Sequence, residues 1–211
     1  MPNFSTEGIV LKHSNFGEAD RILTILTPFK GKIKVVAKGV RRITSRRAGN
    51  VEPLNIVKIQ LFQGKGMMIL TEAITIQSFS KLKENLLLSA YSSHIMEIAD
   101  RLLPEDQPNR PVYNLLIATF SLLNEHPRQI FIRAYEVKIL TLLGFWSEQE
   151  VQTSEEIKGL LRQLQQLDFS EINELQVLEV QMVEVERILR YYMEKVLESP
   201  LRSIQVIQSL K

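Results

Sequence analysis

The hydrophobic period of this chain changes once, near Ser80, and that change divides what it can fold into. Before it, apolar residues fall in short runs of period two broken by turn residues; after it, they recur every three or four positions. Thr6 to His13 leads through Ser14-Asn15-Phe16-Gly17 into Asp20 to Thr27. Pro28-Phe29-Lys30-Gly31 then turns the chain into Lys32-Ile33-Lys34-Val35-Val36-Ala37-Lys38. Val57-Lys58-Ile59-Gln60-Leu61-Phe62 alternates between a core face and a wet face, Gln63-Gly64-Lys65-Gly66 turns again, and Met67 to Gln77 is the fifth run. Five strands packed into so short a stretch predict a small closed or nearly closed barrel, because closure removes exposed edges. An SH3-like barrel satisfies the same pattern.

Beyond Ser80 the pattern predicts helices. Leu82, Leu86, Ala90, Ile95, Ala99 and Leu102 mark the first, stopped by Pro104; Val112 to Asn124 makes a second starting at Pro111. Ile130, Ala134, Val137 and Leu140 mark a third, closed by Gly144. Residues 154–167 suit a fourth. Ile172, Leu175, Leu178, Met182, Val185, Leu189, Tyr192 and Val196 predict one long final helix, buried against its neighbours or paired in a coiled coil. The expected division is therefore a barrel domain over 1–79 and an all-helical domain over 80–211.

The charge follows the same division. Overall the balance is only +2, yet residues 1–80 carry twelve basic and five acidic side chains, and residues 81–211 carry fourteen and nineteen. Lys30, Lys32, Lys34, Lys38, Arg41, Arg42, Arg46 and Arg47 fall within eighteen positions that contain no acid. Such a run is either a solvated cationic loop or the footprint of a polyanion partner.

Catalytic signatures are missing. No Cys occurs, which excludes disulfides, thiolate metal sites and a Cys nucleophile. Gly31-Lys32 lacks the flanking residues of a P-loop, and there is no Gly-x-Ser-x-Gly elbow. His94 with Glu97 and Asp100 is a thin metal face that is better read as hydrogen bonding, and Glu18 with Asp20 is better read as salt bridging. A non-enzyme without cofactors is expected. The N-terminus has no signal-peptide pattern and no apolar run nears ~18 residues, so a cytoplasmic protein is expected.

Several motifs then occur in order: Gly8-Ile9-Val10-Leu11; Gly17-Glu18-Ala19-Asp20-Arg21-Ile22-Leu23; Gly31-Lys32-Ile33-Lys34-Val35-Val36-Ala37-Lys38-Gly39-Val40-Arg41-Arg42; and Glu52-Pro53-Leu54. Together they resemble the N-terminal domain of the bacterial RecO recombination mediators. Arg133-Ala134-Tyr135-Glu136-Val137-Lys138-Ile139-Leu140 with Leu143-Gly144-Phe145 is similar to that family's Phe-Glu-x-x-Leu-Leu helix, and Ser199-Pro200-Leu201-Arg202-Ser203 to its C-terminal signature. The resemblance is weak over residues 146–195. It implies an α+β two-domain chain: an N-terminal five-stranded OB-fold barrel followed by an all-α helical domain.

It also implies a function in DNA repair and recombination: binding single- and double-stranded DNA, annealing complementary strands, and helping RecA load onto DNA coated by single-stranded-DNA-binding protein, together with RecR. Many family members hold a zinc with four Cys after the Leu-Gly-Phe/Tyr position; here Trp146-Ser147-Glu148 follows, so zinc is expected to be absent. Lys12, Lys32, Lys34, Lys38, Arg41, Arg42, Arg46 and Arg47 would contact phosphates. Phe16 and Phe29 would stack on bases or else plug the barrel. The C-terminal tail of single-stranded-DNA-binding protein would dock at Arg133, with Tyr135, Val137 and Leu140 helping to line the notch; Arg133 paired with Glu136 is the alternative. Rival readings are a helical adaptor whose barrel is only a scaffold, an OB-type RNA-binding translation factor, and a metal-dependent nuclease.

Overall fold

Alternation of apolar and polar residues does build the five strands: β1 (Asn3–Phe16), β2 (Asp20–Thr27), β3 (Gly31–Ala37), β4 (Asn55–Phe62) and β5 (Met68–Ser78). The computed structural model describes residues 3–64 and 66–210. Lys65 of the turn expected at Gln63–Gly66, and Met1 and Pro2 of the leader reading, lie outside the described residues. The strands close in the order β1-β2-β3-β5-β4, with β1 pairing on both sides and β3 meeting β5 in parallel at Val35 and Val36. This is the OB-fold order expected above, and the SH3-like alternative falls away. Val10, Leu23, Ile25, Ile33, Val35, Val57, Ile59, Leu61 and Leu70 fill the interior.

Among the described residues eight α-helices follow: α1 (Ser80–Glu84), α2 (Leu86–Leu102), α3 (Arg110–Glu125), α4 (Ile130–Leu142), α5 (Glu155–Gln166), α6 (Phe169–Glu174), α7 (Glu179–Leu197) and α8 (Arg202–Ser209). The first expected helix is two, because the Asn85 side chain accepts from the Leu88 N–H (3.0 Å) and restarts the helix as an N-cap. The expected long final helix is also two. Asp168 and Glu171 form a capping box on α6; the chain is extended at Leu175 and Leu178, and the Gln181 side chain accepts the Leu178 N–H to open α7. Its apolar stripe is accordingly not continuous: Ile172, Val185, Leu189 and Tyr192 are buried, whereas Leu178 is exposed. α8 had no counterpart in the periodicity reading, being only two turns long. Among the described residues no helix is long and apolar enough to cross a membrane.

The compact units do not follow a single cut. One gathers the barrel up to Ser80 with Met96–Tyr113, the second half of α2 through the start of α3; the other gathers Lys81–Ile95 with the chain from Asn114 onward. Within the first unit, residues 100–107 run along β3. The Asp106 N–H donates to the Lys32 carbonyl (2.9 Å), and Gly31, at φ +70°, leaves no room for a Cβ against the Gln107 backbone.

Candidate nucleic-acid interface

The 38–54 connection between β3 and β4 is pinned rather than loose. Val40 and Val51 are fully buried in the barrel core. The Gly39 N–H donates to the Asp20 carboxylate (2.7 Å), and the Leu54 N–H to the Val10 carbonyl (2.9 Å). Asn50 Nδ2 donates to the Ala73 carbonyl (2.9 Å). At the exit, Arg21 Nη1 donates to Glu52 Oε1 (2.8 Å), and His13 Nε2 lies 3.3 Å from Oε2. Burial pushes the Glu52 carboxyl up, but Arg21 and His13 together hold it below the usual carboxylate range.

The eight cations singled out as DNA contacts, Lys12 and seven from β3 and this loop, divide three ways. Lys12, Lys32 and Lys34 are drawn to two acids. Lys12 and the buried Lys32 both reach Asp100, Lys32 donating to its carbonyl with a carboxylate oxygen 3.4 Å away. Lys34 pairs with Glu105 at 2.5 Å, a hydrogen bond that holds its ammonium above the usual range. The acid-free run seen in the sequence is thus met by acids from residues 100–105, and the outer face of β3 is not an open cationic track. Arg41 and Arg47 bind their own chain. Arg41 Nη1 donates to the Gly17 and Glu18 carbonyls, while Arg47 donates to the Leu70, Thr71 and Lys38 carbonyls at 2.8 to 3.2 Å. Lys38, Arg42 and Arg46 line an open cleft of about 620 Å³, together with Asp20, Ser45 and Arg47. Among the described residues no acid forms an ion pair with those three.

Glu105→Gln tests whether Lys34 is only masked. The pair is half-exposed and worth little to stability. If freed Lys34 joins the interface, the log-log salt slope for single-stranded DNA steepens by about 0.7; an unchanged slope removes Lys34 from the footprint.

Phe16 and Phe29 do not plug the barrel, being 51% and 66% exposed. They flank β2 at opposite ends, about 25 Å apart for eight residues. Phe16 shares the end of Gly17 and Glu18, which Arg41 bridges to the cationic loop; Phe29 lies at the other end, with the Arg110 guanidinium over its ring at 5.4 Å. Phe16, paired across the strands with Asp20 of the cleft, is the nearer of the two to it, although neither lines it.

In the helical unit, Tyr135, Val137 and Leu140 are fully buried and form core, so they line no docking notch. Arg133 is buried too, its Nη1 3.2 Å from Glu136 Oε2, while His94 sits between Glu136 Oε1 (2.7 Å) and Ser203 Oγ (2.9 Å). Arg133 does edge a cleft with Arg190, Met193, Leu201, Ile204 and Ile207. His94 makes these inter-helix contacts rather than facing Glu97 and Asp100, and among the described residues no group of three or more metal-ligating side chains gathers.

Comparison with known proteins follows both halves of the chain. The family described as "Recombination protein O N terminal" matches residues 1–79, and "Recombination protein O C terminal" matches residues 83–150. The chain belongs to the RecO family. A DNA repair protein RecO of Symbiobacterium thermophilum is 37% identical over 147 residues, covering 69% of this chain and 58% of that protein. Those of Heliobacterium modesticaldum and Roseiflexus sp. are 32% and 34% identical, covering 70% and 67% of this chain and 54% and 50% of theirs. The chain thus spans little more than half the length of the curated relatives it matches. The zinc site borne by many RecO proteins does not fit here, since Cys is missing and Trp146 to Glu150 supply no cluster of ligands. Asp100 and Glu105 were invisible from sequence as partners of these cations, because only the fold brings them to Lys12, Lys32 and Lys34.

Proposed function

We propose that this chain is a non-enzymatic mediator of DNA repair and recombination that binds single- and double-stranded DNA at the loop end of its barrel and anneals complementary strands. With RecR, it helps RecA load onto DNA coated by single-stranded-DNA-binding protein. The observation that supports this most is the cleft of Lys38, Arg42 and Arg46, cations that pair with no acid among the described residues, on a loop pinned to a closed OB barrel. Cations held at fixed positions track phosphates without reading bases, which suits a protein that must accept any sequence and bring two strands together. Docking of the binding protein's C-terminal tail belongs to this reading on the helical unit, with Arg190 beside Met193, Leu201 and Ile204 as cation and apolar contacts; the cleft there holds only about 10 Å³ and also carries Glu136 and Glu186, so the peptide would lie across its mouth rather than enter it.

The test is annealing of complementary oligonucleotides, each coated with single-stranded-DNA-binding protein. The chain is expected to accelerate duplex formation well above the uncatalysed rate, without magnesium-dependent loss of full-length strands. No acceleration on coated or naked strands overturns the reading, and preferential binding of RNA over DNA of the same sequence favours the translation-factor alternative.

A further inference from the structure

A single exposed apolar residue is ordinary on a protein surface. The position of Ile43 is not. It is the most exposed large hydrophobic among the described residues, its side chain meeting solvent on every side. It stands at the corner of a tight turn, where the Ser45 N–H donates to the Arg42 carbonyl (2.9 Å) and the Arg42 N–H to that of Gly39 (3.2 Å). Turn chemistry does not ask for a β-branched apolar side chain there, and burial within this chain does not reward one. Arg42 precedes it and Arg46 follows three residues on, both lining the cationic cleft, while Arg47 ties the loop to the carbonyls of Lys38, Leu70 and Thr71. The apolar tip is therefore presented on a braced loop between two cations.

We propose that Ile43 is a wedge that enters a base step of the DNA strand whose phosphates lie on Arg42 and Arg46, unstacking the bases at that step. The inference rests on the DNA-binding reading above and deepens it. An apolar side chain that projects beyond the phosphate contacts can reach the stacked bases, and Ile is among the side chains that proteins insert between base steps. Local unstacking leaves bases ready for a complementary strand. An anionic lipid surface is the other target for a cationic loop with an apolar tip, but one Ile offers too little apolar area to hold a bilayer.

The full chain is titrated with a single-stranded oligonucleotide carrying 2-aminopurine, whose emission rises on unstacking, at several salt concentrations. Wild type is expected to bind with a salt-dependent affinity and raise the emission. Ile43→Ser, at a solvent-exposed position, should keep the wild-type melting temperature, bind about tenfold more weakly with an unaltered salt slope, and lose the emission rise. Ile43→Met should restore both. If Ile43→Ser matches wild type in affinity and emission, the wedge is wrong while the DNA reading stands. A slope that falls with the affinity places the loss on phosphate contacts and also overturns the wedge. Loss of binding to anionic vesicles with DNA binding intact would assign the residue to a membrane instead. No salt-dependent DNA binding by wild type removes both the wedge and the reading beneath it.

Discussion

Replacing Lys38, Arg42 and Arg46 together with Ala should weaken single-stranded DNA binding by about tenfold to a hundredfold at physiological salt, at up to about 1 kcal/mol for each exposed cation. The log-log salt slope should become shallower by about 2, because three contacts release about 0.7 counterion each. The loss should be the same for pyrimidine-rich and mixed strands, since phosphate contacts carry no sequence information. The melting temperature should hardly move, as these side chains line an open cleft. Arg47→Ala should behave differently. It removes donors from three backbone carbonyls, at 2.8 to 3.2 Å, that tie the loop to β5 and to its own start. The expected cost is about 2 to 4 kcal/mol of stability, with loss of DNA binding following from a loosened loop. Filter binding across a salt series, with thermal melts of both variants, separates the two roles. A triple variant that keeps the wild-type slope would exclude the cleft as the phosphate site.

Arg133→Ala should destabilise the helical unit by about 3 to 5 kcal/mol, because it leaves the Glu136 carboxylate buried without its cation. For a chain of this length that lowers the melting temperature by roughly 6 to 20 °C. Glu136→Gln should destabilise comparably: its amide oxygen can still accept from His94, but the buried Arg133 guanidinium is left without its anion. Thermal melts of both variants check this. An Arg133→Ala variant that melts like wild type would show that Arg133 is not committed to Glu136 and is free to hold a peptide carboxylate.

The barrel was legible from sequence because strand alternation is local, and Val57 to Phe62 displays both its faces without reference to anything distant. The helical breaks were less so. Asn85 and the Leu175–Leu178 extension interrupt stripes whose spacing survives the interruption, so periodicity runs straight through them. The cationic cluster was found as residues, but its division was not. Asp100 lies 68 positions from Lys32 and 88 from Lys12, and the carbonyls that take up Arg47 have no sequence signature at all. Arg133 with Glu136 was within reach, three positions apart on one helix; the addition of His94 and Ser203 was not.

The chain leaves the barrel's compact unit after Ser80, returns to it for Met96–Tyr113, and leaves again. During synthesis, then, the barrel's strands have all emerged by Ser78 but its acidic partner segment has not. Until Asp100 and Glu105 follow, Lys12, Lys32 and Lys34 have no carboxylates to lie against, and a nascent barrel carries two more units of uncompensated positive charge than the finished one. Beside messenger and ribosomal RNA, such free cations favour indiscriminate adhesion to nucleic acid, and translation of α1, α2 and the short connector through Glu105 ends that interval.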